Sequence, residues 1–417
     1  MKVLVVGAGG REHAICHAIA RSPRLSDLFL LPGNAGTAGL GTNIPSDPCD
    51  IVAVLDVVRR EAIDLTIIGP EDPLAAGLAN ALEEAGHRVF GPRAEAARLE
   101  ADKAFAKDLM RRHAIPTAEA RMFTDYELAR EYIATRDEPQ VVKAAGLAKG
   151  KGAIVCNDPS DAILAAENML VKKAFGDAGA TIVVEERLLG HEVSLLTIVD
   201  GHTACVLEPA QDHKRLMDDD AGPNTGGMGS FCPSLLLTDD LLQQVNRQIL
   251  VPTLDALVRD GVRYRGVLYI GLMLTASGPK VLEYNCRFGD PETQAILPRL
   301  RSDLLELFDA TVDGRLADVT LEWDPRHALC VVMASGGYPG SYNTGLPITG
   351  LPANTDDLVV FHAGTQVEGD QVLTSGGRVL GVTALGATLL EAREHAYDAI
   401  REIHFEGAQY RTDLGAE

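Results

Sequence analysis

The sequence predicts an α/β and α+β multidomain fold, on three observations. Its 417 residues exceed what one ordinary core accommodates, so two to four domains are expected. Through residues 1–100, short apolar runs alternate with helix-period stretches, the pattern of an open parallel sheet. Further on, β-prone segments with period-2 alternation are separated by glycine turns and single helices, which reads as α+β. The balance of 46% hydrophobic and 23% charged residues is that of a globular enzyme rather than a disordered or fibrous chain. A net charge of -21 disfavours nonspecific binding to nucleic acid or an anionic membrane, so an anionic substrate would need a local basic site. Seven scattered cysteines without a C-x-x-C pair argue against a disulfide framework or zinc site. A reducing cytoplasm is the expected compartment. No signal-peptide anatomy follows Met1, and no apolar run approaches the roughly 20 residues of a membrane span.

In chain order, residues 2–6 read as a buried parallel strand, followed by the turn Gly7-Ala8-Gly9-Gly10-Arg11-Glu12-His13 and a helix to about Arg21. This is a Rossmann-like phosphate-binding strand, turn and helix. Further strands are expected at 27–31, 65–68 and 88–90, with helices near 50–61 and 73–85. As a dinucleotide fingerprint the turn fails: Glu12 replaces the third glycine, and the second strand ends in Pro32-Gly33-Asn34 rather than an acidic residue. It reads equally as a plain tight connection. The polar turns Pro32-Gly33-Asn34 and Gly69-Pro70-Glu71, at the ends of other strands, favour a ligand-binding edge.

Residues 121–186 suggest a small unit with strands at 140–143, 153–156 and 181–185 and a helix over 159–173. Its turn, 144–152, is not a P-loop: Gly146 and Gly150 are too close, and Gly152 follows Lys151 where Ser or Thr is required. A hairpin cap rich in N–H groups and lysine still suits phosphates, and reads equally as a solvated turn. Lys143 stands inside an apolar strand, where a buried ammonium needs an anionic partner, and a nucleotide phosphate would supply one. Lys103, near the start of the preceding helix, fits that role or an exposed helix face. Residues 183–188 pass from strand to connector as an adenine hinge would, placing Glu185, Glu186 and Leu188 at the nucleotide, with Glu192 as an acceptor for ribose hydroxyls. The polar, glycine-rich segments 211–215 and 222–230 then read as one long binding loop.

Residues 281–294 carry the densest chemistry. Alternation along 281–285 puts Glu283 and Asn285 on one face of a strand, two oxygen donors suited to a hard cation that brings water and nucleotide oxygens as its other ligands. Arg287, where the strand ends, offers a fixed fork for a phosphoryl or carboxylate oxygen.

Together these segments resemble the phosphoribosylamine-glycine ligase family of the ATP-grasp superfamily. The resemblance covers essentially the whole chain: Gly-Gly-Arg-Glu-His-Ala at 9–14, Pro-Gly-Asn-Ala-Gly-Thr at 32–37, Gln-Asp-His-Lys-Arg at 211–215, Gly-Pro-Asn-Thr-Gly-Gly-Met-Gly at 222–229 and Asn-Cys-Arg-Phe-Gly-Asp-Pro-Glu-Thr-Gln at 285–294. C-terminal matches lie at 336–340, 361–365 and 376–380. The resemblance implies a Rossmann-like substrate domain over 1–100, an ATP-grasp domain over 101–326 whose mobile lid is about 121–187, and a small α+β domain over 327–417. It implies ATP-dependent joining of glycine to 5-phosphoribosylamine through a glycyl phosphate, with ATP as co-substrate and Mg²⁺ or Mn²⁺ held by Glu283 and Asn285. Lys103, Lys143 and Lys151 would hold the phosphate chain, and Arg287 the transferring phosphoryl group. Gly9, Gly10, Arg11, Glu12 and Asn34 would receive phosphoribosylamine, while Asp212, Lys214, Asn224 and Asp290 shape the acceptor site, Asp212 and Lys214 counted with Arg287 as catalytic. A monomer acting on small molecules is expected. The family commonly has Asn where Ala8 stands, and the lid loop departs at Ala145 and at Lys149, an extra charge near Lys151. Another carboxylate-amine ligase on the same scaffold is the nearer rival; a nicotinamide-dependent dehydrogenase or a nucleotide-binding module is the more distant one.

Overall fold

The computed structural model describes residues 1–148 and 150–416, so Lys149, with the contact to the phosphate chain expected of it, lies outside the described residues. Five parallel strands form the N-terminal sheet in the order Thr42–Asn43, Asp27–Pro32, Lys2–Gly7, Leu65–Ile68, Val89–Phe90. In the central strand Leu4 and Val6 pack with the helix Ile51–Arg60, while Val3 and Val5 pack with the helix Gly10–Ile19. Period-2 geometry thus buries both faces, which is why the strand is apolar throughout. Gly7 pairs with Pro32 and Val6 with Ile68, so the three polar turns emerge at one edge. The helix expected over 73–85 is instead two, Glu71–Ala75 and Leu78–Glu84, because Gly77 takes φ 89°, a left-handed conformation that interrupts the helical ladder.

The lid is an antiparallel sheet, Ala120–Phe123, Ile182–Glu186, Gln140–Ala144, Ala153–Cys156. The helices Tyr126–Ala134 and Pro159–Leu170 cover it through Ala129, Ile133, Ala162, Ala166 and Met169. A second antiparallel sheet runs Ala204–Val206, His191–Val199, Gly266–Thr275, Gly278–Asn285. Its last strand bulges at Leu282: Val281 faces Leu272, whereas Glu283 faces Gly271.

The segment read as one long loop after Ala210 is largely ordered. Gln211–Asp212 and Gly229–Cys232 are strands of a sheet completed by His327–Ala334, Arg378–Gly386 and Leu358–His362, and Arg215–Met217 with Ala221–Asn224 forms a hairpin between them. Its glycines and asparagine give it poor β-propensity, but local pairing in the hairpin and pairing of Gly229–Cys232 with the distant strand His327–Ala334 override that preference. Among the described residues no disulfide joins any of the seven cysteines, and no helix is long and apolar enough to cross a membrane.

The C-terminal sheet is tied to the N-terminal domain by His13, whose Nδ1 accepts the backbone N–H of His362 at 2.8 Å. Burial, then the neighbouring His362 and His17, lower His13 to about 3, and burial lowers His362 to about 4. In the unfolded chain both titrate near 6.5, so between pH ~6.5 and ~4 the unfolded state binds more protons and stability rises with pH. Acidification through this window should therefore lower the urea midpoint steadily. His362→Gln, which keeps the backbone bond to His13, should flatten the dependence; an unchanged slope would show that other groups set it.

Candidate active site

The sheet edges, the lid and the C-terminal strands meet around a cleft of about 780 Å³. Glu283 and Asn285 face Gly271 and Tyr269 of the neighbouring strand and both line the cleft, as their alternation predicts. Lys214 Nζ lies 3.3 Å from Glu283 Oε1 and 3.5 Å from Glu192 Oε2, bringing three expected site residues together. The Lys214 charge outweighs burial and, with Lys143 and Lys103, holds the Glu283 carboxyl down at about 2. Asn285, with its amide turned so that nitrogen meets acceptors, donates to Glu100 Oε1 at 2.9 Å and to the Tyr284 carbonyl at 3.2 Å. The atom it can offer a cation is then Oδ1. One ionised carboxylate and one amide oxygen in an open cleft fit a hard divalent cation that brings its remaining ligands with it.

Arg287 sits where the sequence places it, but its fork is occupied from within the protein. Nε donates to Glu71 at 3.1 Å, Nη2 lies 2.8 Å from Glu100, and Nη1 reaches the Phe288 carbonyl at 3.2 Å. Burial opposes ionisation of Glu71, yet Arg287 and Arg11 prevail and hold it at about 2; at Glu100 burial prevails and raises the carboxyl above its usual range. Neither carboxylate was singled out as a site residue from the sequence. Glu71 ends the polar turn Gly69-Pro70-Glu71, a visible signal; Glu100 lies within the helix Ala94–Ala101 and carried none.

On the lid side, the buried ammonium of Lys143 has its anionic partner in the protein itself. It pairs with Glu185 and also donates to the Leu282 carbonyl, at the bulge, at 3.2 Å. Gln140–Ala144 and Ile182–Glu186 are adjacent strands, and their register brings the two side chains together, so a protein carboxylate offsets the burial of this ammonium. Lys107, missed in the sequence although four residues from Lys103 and so on the same helix face, meets the other oxygen of Glu185 at 2.6 Å. Burial opposes the Glu185 charge, but the two lysines outweigh it and keep the carboxyl below its usual range. Burial lowers Lys103, whose Nζ donates to the Gly146 carbonyl at 3.3 Å. Glu186 pairs with Lys280 at 3.2 Å, and Leu188 lines the cleft beside it. Lys151 is exposed and outside the cleft lining, its Nζ on the Pro339 carbonyl of the C-terminal unit at 2.7 Å.

The residues expected to receive phosphoribosylamine separate into two groups. Arg11, Asp212, Asn224 and Asp290 line the cleft. Gly9, Gly10, Glu12 and Asn34 are not among its lining residues. Glu12 Oε2 accepts Gly9 N–H at 2.6 Å while Oε1 accepts Arg11 Nε at 2.6 Å, so the protein's own carboxylate fills the anion position of this turn. That also removes the amide a dinucleotide pyrophosphate would use. Gly10 packs on Gln294, where a Cβ would stand 2.5 Å from Nε2. Asn34 spends its side chain inside the fold: Nδ2 donates to the carbonyls of Ala8 and His362, and Oδ1 accepts from Gly36 and Thr37 N–H. Glu12 and Asn34 thus brace the turns at this sheet edge through their own polar atoms. Asn224 Nδ2 reaches the Ala153 carbonyl of the lid at 3.4 Å. Asp290 accepts from Gln294 Nε2 at 2.8 Å and stands 3.4 Å from Arg378 Nη1. Arg378, which lies in the 376–380 match but was given no site role from the sequence, also donates to the Gly226 and Asp290 carbonyls at 2.7 and 2.8 Å, fixing the glycine-rich segment against the strand end.

Comparison with known proteins gives the same pattern along the chain. The models for phosphoribosylglycinamide synthetase match as N domain over residues 1–100, ATP-grasp (A) domain over 101–293 and C domain over 328–417. A phosphoribosylamine--glycine ligase of Escherichia coli (strain K12) is 50% identical over 420 residues, covering 100% of this chain and 98% of that protein. One from Rhodopirellula baltica is 49% identical over 421 residues, covering 99% and 96%. The crystal structure of phosphoribosylamine--glycine ligase from Thermotoga maritima superposes with a TM-score of 0.88 at 35% identity, covering 99% of this chain and 100% of that one. The biotin carboxylase domain of a Hydrogenobacter thermophilus 2-oxoglutarate carboxylase, at 16% identity and a TM-score of 0.75 over 98% and 91% of the two chains, shares the fold.

Proposed function

The chain belongs to the phosphoribosylglycinamide synthetase family, and from that premise we propose how its cleft joins glycine to 5-phosphoribosylamine with ATP, giving glycinamide ribonucleotide, ADP and phosphate in purine biosynthesis. It is an ATP-grasp ligase that uses ATP with a divalent metal. The observation that carries the site assignment is the convergence in one cleft of the lysine cluster around Glu185 with the strand end bearing Glu283, Asn285 and Arg287.

Glu283 and Asn285 would hold the cation, Mg²⁺ or Mn²⁺, which when bound neutralises charge across the phosphate chain. Lys103 and Lys143 place positive charge beside that chain, and a phosphate arriving there would compete with Glu185 for Lys143. The strand-to-connector passage at 185–188 takes the purine, and Glu192 the ribose. Arg287, which lines the cleft and is held by Glu71 and Glu100, would set its charge beside the phosphoryl group as it passes to the glycine carboxylate. Lys214, Asp212, Asn224, Arg11 and Asp290 surround the acceptor amine, with Gly9, Gly10, Glu12 and Asn34 shaping the wall behind them. Such a site works by positioning and electrostatic complementarity, with no covalent nucleophile. We assign residues 1–100 to amine recognition, 101–326, with the lid at 121–187, to nucleotide and metal, and 327–417 to bracing. We propose a monomer in a cytoplasmic setting; seven cysteines with no disulfide among the described residues suit a reducing compartment.

The test is coupled ADP release over a panel of amino acids with phosphoribosylamine. Release with glycine alone among them is expected; equal release with another amino acid would move the substrate assignment. Lys151 gives a sharper check. To reach phosphate its Nζ must leave the Pro339 carbonyl, so Lys151→Ala is expected to raise the KM for ATP about tenfold at low salt, and less at high salt because an exposed charge is screened beyond ~8 Å. A KM indifferent to this change at every ionic strength would place Lys151 in the lid contact alone.

A further inference from the structure

We propose that Glu100 is a positioning residue of this site: its carboxylate turns the Asn285 amide so that the side-chain oxygen is left for the cation, and it ties Arg287 to that same amide; this rests on the ligase reading above. Glu100 is 6% exposed and lines the cleft from the helix Ala94–Ala101. Its two oxygens collect donors from three consecutive residues at the strand end. Oε1 accepts Asn285 Nδ2 at 2.9 Å and lies 2.8 Å from Arg287 Nη2. Oε2 accepts the Cys286 backbone N–H at 2.8 Å and the Cys286 thiol at 3.2 Å.

This arrangement needs a carboxylate and no other group. An ionised carboxylate only accepts, with room for about four donors, whereas a carboxamide has one accepting oxygen and presents N–H groups on its other side. A glutamine at this position would set N–H against N–H, either at Cys286 or at Asn285 and Arg287. The Asn285 amide, for its part, can exchange oxygen for nitrogen by a flip, and its surroundings choose between the two orientations. Glu100, with the Tyr284 carbonyl 3.2 Å from Nδ2, accepts the nitrogen. Oδ1 is then the atom left for a hard cation, which takes oxygen ligands.

Arg287 has two further partners, Glu71 at Nε and the Phe288 carbonyl at Nη1, so Glu100 is one of three contacts that hold it and the only one of them shared with Asn285. The chain next to Glu100 serves the same cleft. Asp102 caps the helix Lys103–Arg112 by accepting the Phe105 N–H at 3.0 Å, and Lys103, the first residue of that helix, lines the cleft. Residues 100–103 thus join the strand end to the lysine side of the site.

The test reads cation binding apart from turnover. Mn²⁺ binding with a nonhydrolysable ATP analogue, followed by electron paramagnetic resonance, is compared in wild type, Glu100→Gln, Asn285→Ala and the double variant. Glu100→Gln is expected to weaken Mn²⁺ binding about tenfold and to lower kcat about 10- to 100-fold, with the KM for glycine within a few-fold, the range for groups that orient metal ligands. The double variant should bind Mn²⁺ within about twofold of Asn285→Ala, because an effect carried through Asn285 is lost once that side chain is gone. Losses that multiply in the double variant would overturn the proposal and make Glu100 a cation ligand or a purely structural group. Unchanged Mn²⁺ binding or unchanged kcat in Glu100→Gln would overturn it as well. If urea unfolding shows Glu100→Gln to be unfolded, Glu100→Asp, which keeps the charge but draws it back by one methylene, carries the same cycle and the same expectations. Wild-type Mn²⁺ affinity in Asn285→Ala would end the proposal while leaving the ligase reading in place. No ADP release by wild type with glycine and phosphoribosylamine would sink that reading, and this proposal with it.

Discussion

Glu283→Ala is expected to lower glycine-dependent ADP release by roughly three orders of magnitude, since charge neutralisation by a held cation contributes several kcal/mol. The change removes the one carboxylate that the strand end offers a cation, and leaves Lys214 with Glu192 as its remaining close counter-charge. A second readout keeps the cause visible. Mn²⁺ binding in the presence of a nonhydrolysable ATP analogue, followed by electron paramagnetic resonance, should weaken in Glu283→Ala and in Glu283→Gln, which preserves shape but not charge. Near-normal turnover together with unchanged Mn²⁺ binding would remove Glu283 from the metal site.

Arg287→Lys should lower kcat by about 10²-fold with the KM values for glycine and ATP within a few-fold, because a contact that strengthens as charge develops acts on the transition state. Lysine carries the charge but not the fork, and the structure shows why the fork matters: one guanidinium spans Glu71, Glu100 and the Phe288 carbonyl at once. Arg287→Ala should in addition destabilise the fold by ~3–5 kcal/mol, the range for a buried ion pair stripped of one partner, measurable by urea unfolding. A kcat near wild type with only the glycine KM raised would make Arg287 a substrate anchor.

Much of the scaffold was legible because its signals are local. Apolar runs at the central strands, glycines in the turns and the alternation through Glu283 and Asn285 all follow from periods of a few residues. Where the reading missed, a distant segment intervened. Within the glycine-rich stretch after Ala210, Gly229–Cys232 pairs with the distant strand His327–Ala334 and carries Gln211–Asp212 on its other edge. Asn34, placed at the correct sheet edge, spends its amide on the Ala8 and His362 carbonyls, the second of them 328 positions away.

By itself the sequence determined the layered α/β and α+β architecture, the ordering of the strand ends toward one edge, and the presence of a carboxylate, an amide and an arginine at the end of one strand. Those are consequences of backbone periodicity and turn chemistry, which act between neighbours. The tertiary structure alone decided which charge answers which. It gave Glu185 to Lys143 and Lys107, Glu71 and Glu100 to Arg287, and Lys214 to Glu283, and it left Asp212 with a buried oxygen that has no hydrogen-bond partner among the described residues. A buried charge must be paired, but its partner is fixed by strand order, register and domain contact, and these are settled only when remote parts of the chain close over one cleft.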